Sequence, residues 1–426
     1  MNRPWLARVL EGAFGLRVAA ALAVHWFSQR KGTLCVFPDT RIYWHLARTI
    51  GAGGPFEVVE WGELPHFALR TPGYPLFLAA CQFAFGPRVL PVRLAQAALG
   101  AWCVWLVARL TARVVGPETT NHRNGPGLGP VPLLAAGLAA FDPYFVVTAA
   151  LVLSEAVFIP LMLASLLGLA ALWPQADSTV PKSWWLLALG TGISSGAAIL
   201  VRPSWALFVP AMLLAQVVWS GPGRRWHAVR GVVLVALGVV LVMAPWWVRN
   251  ARIYGRFVPT ALWAGASLYD GLNPRATGAS DMDGFMIAPD IWPLDEEAQD
   301  AELKRRAVAF ARSHPGRSLE LAAIKLGRFW SPWPNAEGFR SLPVNVASAA
   351  VTLPVFALIA LGVWDRRRDP RALVLLAGPL VYFCLLHTIF ASSMRYRIPA
   401  IIPALGLAAI GVERVWKMRE SIAGGS

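Results

Sequence analysis

Apolar positions in this chain come in long unbroken blocks, not with the period of two or of 3.6 expected for a half-buried strand or surface helix. A membrane-crossing helix needs about 20 mostly apolar residues. Ten stretches meet that requirement, near residues 9–28, 92–112, 130–147, 153–173, 184–201, 203–219, 229–248, 346–364, 371–390 and 398–415. The apolar run Tyr74 to Phe85 is too short, because a dozen helical residues rise only about 18 Å. It is expected to lie along the membrane interface. Between the blocks stand two long stretches of mixed polarity, roughly Ser28 to Pro91 and Arg249 to Val344.

Composition agrees with this pattern. The 426 residues are 56% hydrophobic and 15% charged, with a mean hydropathy of +0.51, outside the range of ordinary soluble domains. The expected fold class is therefore an all-α polytopic membrane bundle with no separate soluble domain. The apolar run after Arg3 and Arg8 has no small-residue cleavage site, so it is read as a retained first helix and not a secretory signal. Gly192 and Gly196 in "GISSG" form a small-residue helix-packing step, since no strand precedes them as a nucleotide loop would require.

The formal net charge of +15 sorts into short clusters between spans and not along one face, which argues against nucleic acid. With ten spans, Arg109, Arg113, Arg123, Lys182, Arg224, Arg225, Arg230, Arg366 to Arg368, Arg414 and Lys417 share one side, the cytoplasmic one by the positive-inside rule. Both termini then lie inside. The expected organisation is 1–28 first helix, 29–91 first periplasmic loop with juxtamembrane helices, 92–248 spans two to seven, 249–345 second periplasmic loop, and 346–426 spans eight to ten with a cytoplasmic tail. Cys35, Cys81, Cys103 and Cys384 are too dispersed for a disulfide framework or a cysteine metal site and read as packing residues.

The opposite boundary collects charges that spans alone do not require. Asp39, His45, His66 and Arg70 lie in the first outer segment, Glu155 opens the fourth span in "LVLSEAVF", and Arg202 joins spans five and six in "LVRPSW". Arg249 closes span seven, and Arg395 and Arg397 flank Tyr396 in the turn "SSMRYRIP". Arginines in short outer turns run against the positive-inside rule, and their planar forks suit phosphate oxygens. Each alone could snorkel to headgroups; several together suggest a phosphate site. Asp39 either caps the helix "TRIYWHLARTI" or accepts a proton from an attacking group. His45, six residues on, does not share a helical face with it, so a metal would need His66 or His314 as well. The aromatic "RFWSPWPNAEGF" before span eight reads as an interfacial belt or as an acceptor or lipid contact.

The ordered series "PDTRIYWHLA", "LRTPGYPLFLAA", "LSEAVF", "ILVRPSWALFVP", "APWWVRNARIYGRFVPT", "ARSHPGRSLELAAIKLGRFWSPW" and "SMRYRIPAIIPAL" resembles bacterial dolichyl-phosphate-mannose-protein mannosyltransferase-type enzymes. These are glycosyltransferases of families 39 and 83 with the GT-C fold, similar to lipid A aminoarabinose transferases. The resemblance implies an inverting transfer from a polyprenyl-phosphate sugar to a periplasmic protein, lipid or glycan, at the outer face of a bacterial inner membrane. It implies that Asp39 is base or metal ligand, with Glu155 as a second catalytic carboxylate. Arg70, Arg202, Arg249, Arg395 and Arg397 would bind donor phosphate, and Tyr43, His45, His66, Tyr74 and Tyr396 would line the substrate. A divalent Mg or Mn would be held by Asp39 with His45, His66 or His314; no other cofactor is implied. Many relatives have Asp-Glu where this chain has Asp39-Thr40, so Glu155, or alternatively Asp281 or Asp283, would supply the missing carboxylate. A transporter or flippase for lipid-linked sugars would use the same arginines but should show repeated halves or broken helices converging on the midplane, and the sequence shows neither. A noncatalytic lipid-binding scaffold on the same fold is the other alternative.

Overall fold

The structure is a computed structural model that describes residues 2–32, 37, 39–116, 128–173, 183–335, 338 and 340–423. Cys35, Arg123 and Lys182 lie outside the described residues. Within them the elements are helices joined by loops, with one isolated antiparallel bridge between Val58 and His66. In chain order they are α1 (Asn2–Arg30), α2 (Asp39–Gly51), α3 (Gly73–Phe85), α4 (Val89–Val115), α5 (Pro130–Phe141), α6 (Pro143–Ala150), α7 (Glu155–Leu172), α8 (Trp184–Val201), α9 (Phe208–Val218) and α10 (Arg225–Tyr254). The second outer segment carries α11 (Ala264–Gly271), α12 (Asp283–Met286), α13 (Glu296–Ser313) and α14 (Pro315–Phe329). The chain continues through α15 (Leu342–Asp365), α16 (Pro370–Ala372), α17 (Gly378–Ile389) and α18 (Met394–Ala423).

Helices dominate because no water inside a bilayer can satisfy exposed backbone groups. Among the described residues seven helices are long and apolar enough to cross a membrane: α4, α7, α8, α10, α15, the run Pro370–Ile389 and α18. The stretch expected near 130–147 is the α5–α6 pair, bent by 54°, which makes eight if counted as one span. The other two expected spans have different characters. The stretch near 203–219 is a 3-10 turn at Pro203–Trp205 followed by the short helix α9, and the first is the 29-residue α1, which carries Glu11 and a buried Arg17. The Tyr74 to Phe85 run forms the short α3.

The bend and Arg17 explain each other. Pro143 has no N–H, so the helix cannot continue across it and the carbonyls at the end of α5 lose their partners. Arg17 supplies replacements, donating to the carbonyls of Ala139 at 3.0 Å and Ala140 at 3.1 Å, while Asp142 caps α6 through the Phe145 N–H. Packing elsewhere depends on small residues. A Cβ on Gly192 would stand 2.1 Å from the Val235 carbonyl oxygen, so α8 and α10 touch backbone to backbone, as the glycine spacing suggests.

The two outer segments meet at the same end of the bundle. Glu296 of α13 accepts the N–H groups of Phe67 and Ala68 and the Tyr254 hydroxyl. Arg249 donates to the carbonyls of Phe67 at 2.9 Å and Phe56 at 2.7 Å. Leu262 N–H donates to the Ala68 carbonyl, and His66 bonds Gln299 at 3.0 Å. These bonds tie the stretch between α2 and α3 to α10 and the second outer segment.

Candidate functional site

Four chain breaks bring charge to one place. Asp39 is the first residue of α2, and α2 is held down by Thr40, whose buried hydroxyl donates to the Val152 carbonyl at 2.9 Å. Gln96 of α4 donates to the next carbonyl back, Leu151, and accepts the Tyr74 hydroxyl at 3.1 Å. These bonds pin residues 151–154 between α6 and α7, so that Glu155 opens α7 with its carboxylate at the positive end of the helix dipole. Arg202 ends α8 in an extended conformation, the one favoured before proline. Arg395 enters on the first turn of α18, where the Asn335 side-chain oxygen accepts the Met394 N–H at 2.6 Å.

The five side chains form an alternating ladder. Arg70 donates to Asp39 Oδ1 at 3.2 Å, and Arg395 donates to Asp39 Oδ2 at 3.3 Å. Arg395 also reaches Glu155 Oε1 at 2.7 Å and Oε2 at 3.4 Å, and Arg202 lies 2.8 Å from Oε1 of the same carboxylate. Glu155 is 1% exposed, whereas the Asp39 side chain is 36% exposed. The ladder therefore has a closed end and an open end. Burial alone would push the Asp39 carboxyl up, but Arg70 and Arg395 outweigh it and hold the group below its ordinary 3.8. Three guanidiniums against two carboxylates leave one positive charge, a setting that receives an anion.

Around the ladder, Tyr43 packs edge-on against Tyr74 with centroids 5.0 Å apart, and burial pushes both hydroxyls above their usual range. The Arg70 guanidinium lies over Trp263, and Arg395 over Phe37. Tyr396 turns to stack on His387 at 4.3 Å.

Other expected site residues are placed elsewhere. Arg249 belongs to the clamp between outer segments, and Arg397 is buried with its Nη1 donating to the carbonyls of Phe329 and Ser331. Both are drawn off by backbone oxygens, whose positions only the fold reveals. His66 is buried against Gln299, His45 is exposed on α2, and His314 stacks on Phe310. Both Asp39 oxygens face guanidiniums, and among the described residues no three His, Cys, Asp or Glu side chains group as a metal site. The expected ligand sets with Asp39 therefore do not fit a divalent ion. Asp281 and Asp283 are exposed in the second outer segment, where the Asp281 N–H bonds Asp270. Sequence reasoning missed Thr40 and Gln96 as positioning residues; an uncharged polar side chain opposite an apolar break was the available signal.

Residues 70–248 match the family model described as dolichyl-phosphate-mannose-protein mannosyltransferase. Among solved structures, the oligosaccharyltransferase AglB from Archaeoglobus fulgidus, in complex with an inhibitory peptide and a dolichol-phosphate, matches with a TM-score of 0.56 at 12% identity, covering 99% of this chain and 52% of that one. The apo oligosaccharyltransferase of the same organism gives 0.57 at 13% identity, covering 99% and 52%. The chain has the GT-C fold.

ArnT from Cupriavidus metallidurans bound to undecaprenyl phosphate is matched at 19% identity with a TM-score of 0.40, covering 93% of this chain and 77% of that one. No curated protein sequence matches the chain. This GT-C chain spans about half the length of the archaeal structures it matches. The family-matched segment holds Arg70, Glu155 and Arg202, while Asp39 and Arg395 reach the ladder from either side of it.

Proposed function

We propose that this protein is a membrane glycosyltransferase that moves a sugar from a polyprenyl-phosphate donor to a protein, lipid or glycan acceptor on the periplasmic face of a bacterial inner membrane. The observation that carries the reading is the ladder Arg70–Asp39–Arg395–Glu155–Arg202, open at Asp39 and one positive charge in surplus. The family match over residues 70–248 and a fold shared with a dolichol-phosphate-bound oligosaccharyltransferase support the donor class.

In the resting ladder Asp39 is a weak base, because both oxygens lie against guanidiniums. A donor phosphate competes for those guanidiniums. As Arg70 and Arg395 turn to phosphate oxygens, Asp39 is released and regains basicity. It then takes the proton from the acceptor hydroxyl or amine as that atom bonds to the anomeric carbon and the carbon–oxygen bond to phosphate breaks with inversion. The departing phosphate keeps the electron pair and stays on the arginines, so charge developing in the transition state meets preorganised donors. Glu155, closed off between Arg202 and Arg395, orients the arginines and is not itself the base.

The test is transfer or donor hydrolysis by purified protein across a panel of radiolabelled polyprenyl-phosphate sugars, mannose included, with membrane extract as acceptor. Turnover that is lost in Asp39→Asn while donor binding persists supports the reading. Donor binding without turnover in either protein would replace it with a lipid-binding scaffold or a transporter.

A further inference from the structure

A second cationic recess lies where α14 ends and the chain climbs toward α15. Arg328, Trp330, Ser331, Trp333, Asn335 and Arg340 line a cavity of about 340 Å³. Among the described residues no carboxylate pairs with Arg328 or Arg340. Burial pulls the Arg328 guanidinium below its ordinary range and Arg340 adds to the effect, the mark of two like charges left to face each other. The indoles of Trp330 and Trp333 are 37% and 41% exposed.

The surroundings are apolar and turned outward. Leu319, Ala323, Leu326 and Trp330 make an exposed stripe along α14 at the spacing of one helical face. Trp330 meets Phe356 of α15 edge-on at 5.1 Å, and α15 presents exposed Leu342, Val346 and Leu353. The stripe thus runs on into a helix whose outward face is suited to lipid. Two cations and two interfacial indoles at the head of such a strip match a lipid with an anionic headgroup.

We propose that this recess binds the phosphate headgroup of an anionic membrane lipid, with the acyl chains lying along α14 and α15, as a site separate from the Asp39 ladder. The recess also bears on the ladder. Arg328 Nε donates to the Ser392 carbonyl at 3.0 Å, and Asn335 takes the N–H of Met394, one residue before Arg395. Lipid in the recess steadies the turn that delivers Arg395.

The test counts lipids retained by the full-length protein in native mass spectrometry, using phosphatidic acid, phosphatidylcholine of the same chains, and inorganic phosphate as competitor. Wild type should prefer phosphatidic acid, and free phosphate should not displace it. The double variant Arg328→Gln/Arg340→Gln should lose one retained phosphatidic acid, with apparent affinity falling about tenfold or more, while Arg328→Lys/Arg340→Lys keeps it. Measuring the loss in an Arg70→Gln/Arg202→Gln background separates this site from the donor site, so either can fail alone. Unchanged retention in the double glutamine variant overturns the proposal, as does equal retention of phosphatidylcholine or displacement by free phosphate.

Discussion

Two buried glutamates at the same end of the bundle have opposite surroundings. Glu155 is met by the guanidiniums of Arg202 and Arg395, which in turn lead to Asp39 and Arg70. Glu296 is met by the N–H groups of Phe67 and Ala68 and by the Tyr254 hydroxyl. The first set has surplus positive charge and an exposed end; the second is saturated by neutral partners and closes on itself. Burial of a carboxylate therefore does not mark a functional site. The identity of its partners, and whether one of them could exchange for a ligand, does.

The strongest way to break the contrast is to remove the shared rung. Arg395→Met leaves Glu155 with one cationic partner and Asp39 with one. Turnover should fall by about 10²–10³, the usual cost of losing one preorganised donor. Stability should fall by about 3 kcal/mol because a buried charge is left undercompensated. Radiolabelled sugar transfer and thermal unfolding in detergent measure the two effects, and unchanged transfer would remove Arg395 from the site.

On the other side, Glu296→Ala strands two buried backbone N–H groups and should cost about 2–4 kcal/mol. Activity per folded molecule should stay close to wild type, since among the described residues no clamp side chain hydrogen-bonds or ion-pairs with a ladder side chain. A loss of donor affinity matching that of Arg70→Gln would collapse the distinction.

How far this contrast was legible in the sequence depended on the kind of partner involved. Asp39 and Glu155 stood out as carboxylates at the outer boundary, and Arg70, Arg202 and Arg395 as arginines there for which the spans give no reason. Arg249 and Arg397 stood out equally, yet their partners are the carbonyls of Phe56, Phe67, Phe329 and Ser331. Every residue has a carbonyl, so no pattern of residue types announces which one a side chain will meet. The fold was legible where apolar length decided the outcome, as in α7, α8 and α18. It was less so at α5 and α6, where the bend at Pro143 and its repair by Arg17 of α1 are set by contacts between distant parts of the chain.

Asp39 and Glu296 should also respond to pH with opposite signs. Asp39 is depressed below 3.8, so its contribution to stability is complete above that value and is lost as pH falls through its folded-state pKa. Glu296 is raised above 4.5, chiefly by burial, so the folded state holds its proton more tightly than the unfolded one. Its contribution is complete below pH 4.5 and is lost as pH rises through the folded value. Burial raises the Asp270 and Asp300 carboxyls as well, so unfolding temperatures from about pH 4 to about pH 8 should show a decline that Glu296→Gln reduces and Asp39→Asn leaves in place.

The smallest expected effect concerns Thr40, the position where the family resemblance implies a second carboxylate. Its hydroxyl is a donor to the Val152 carbonyl, a role an ionised carboxylate cannot fill, because it has only acceptors to offer. Thr40→Val keeps the shape and removes the bond, so stability should drop by about 1 kcal/mol and turnover by a few-fold as the start of α2 loosens under Asp39. Thr40→Glu should not raise activity, since it would set a carboxylate against a carbonyl while Glu155 already occupies the second acidic position in the ladder. If instead Thr40→Glu outperformed wild type in sugar transfer, the second carboxylate would belong beside Asp39, and Glu155 would be left with only the task of holding Arg202 and Arg395 in place.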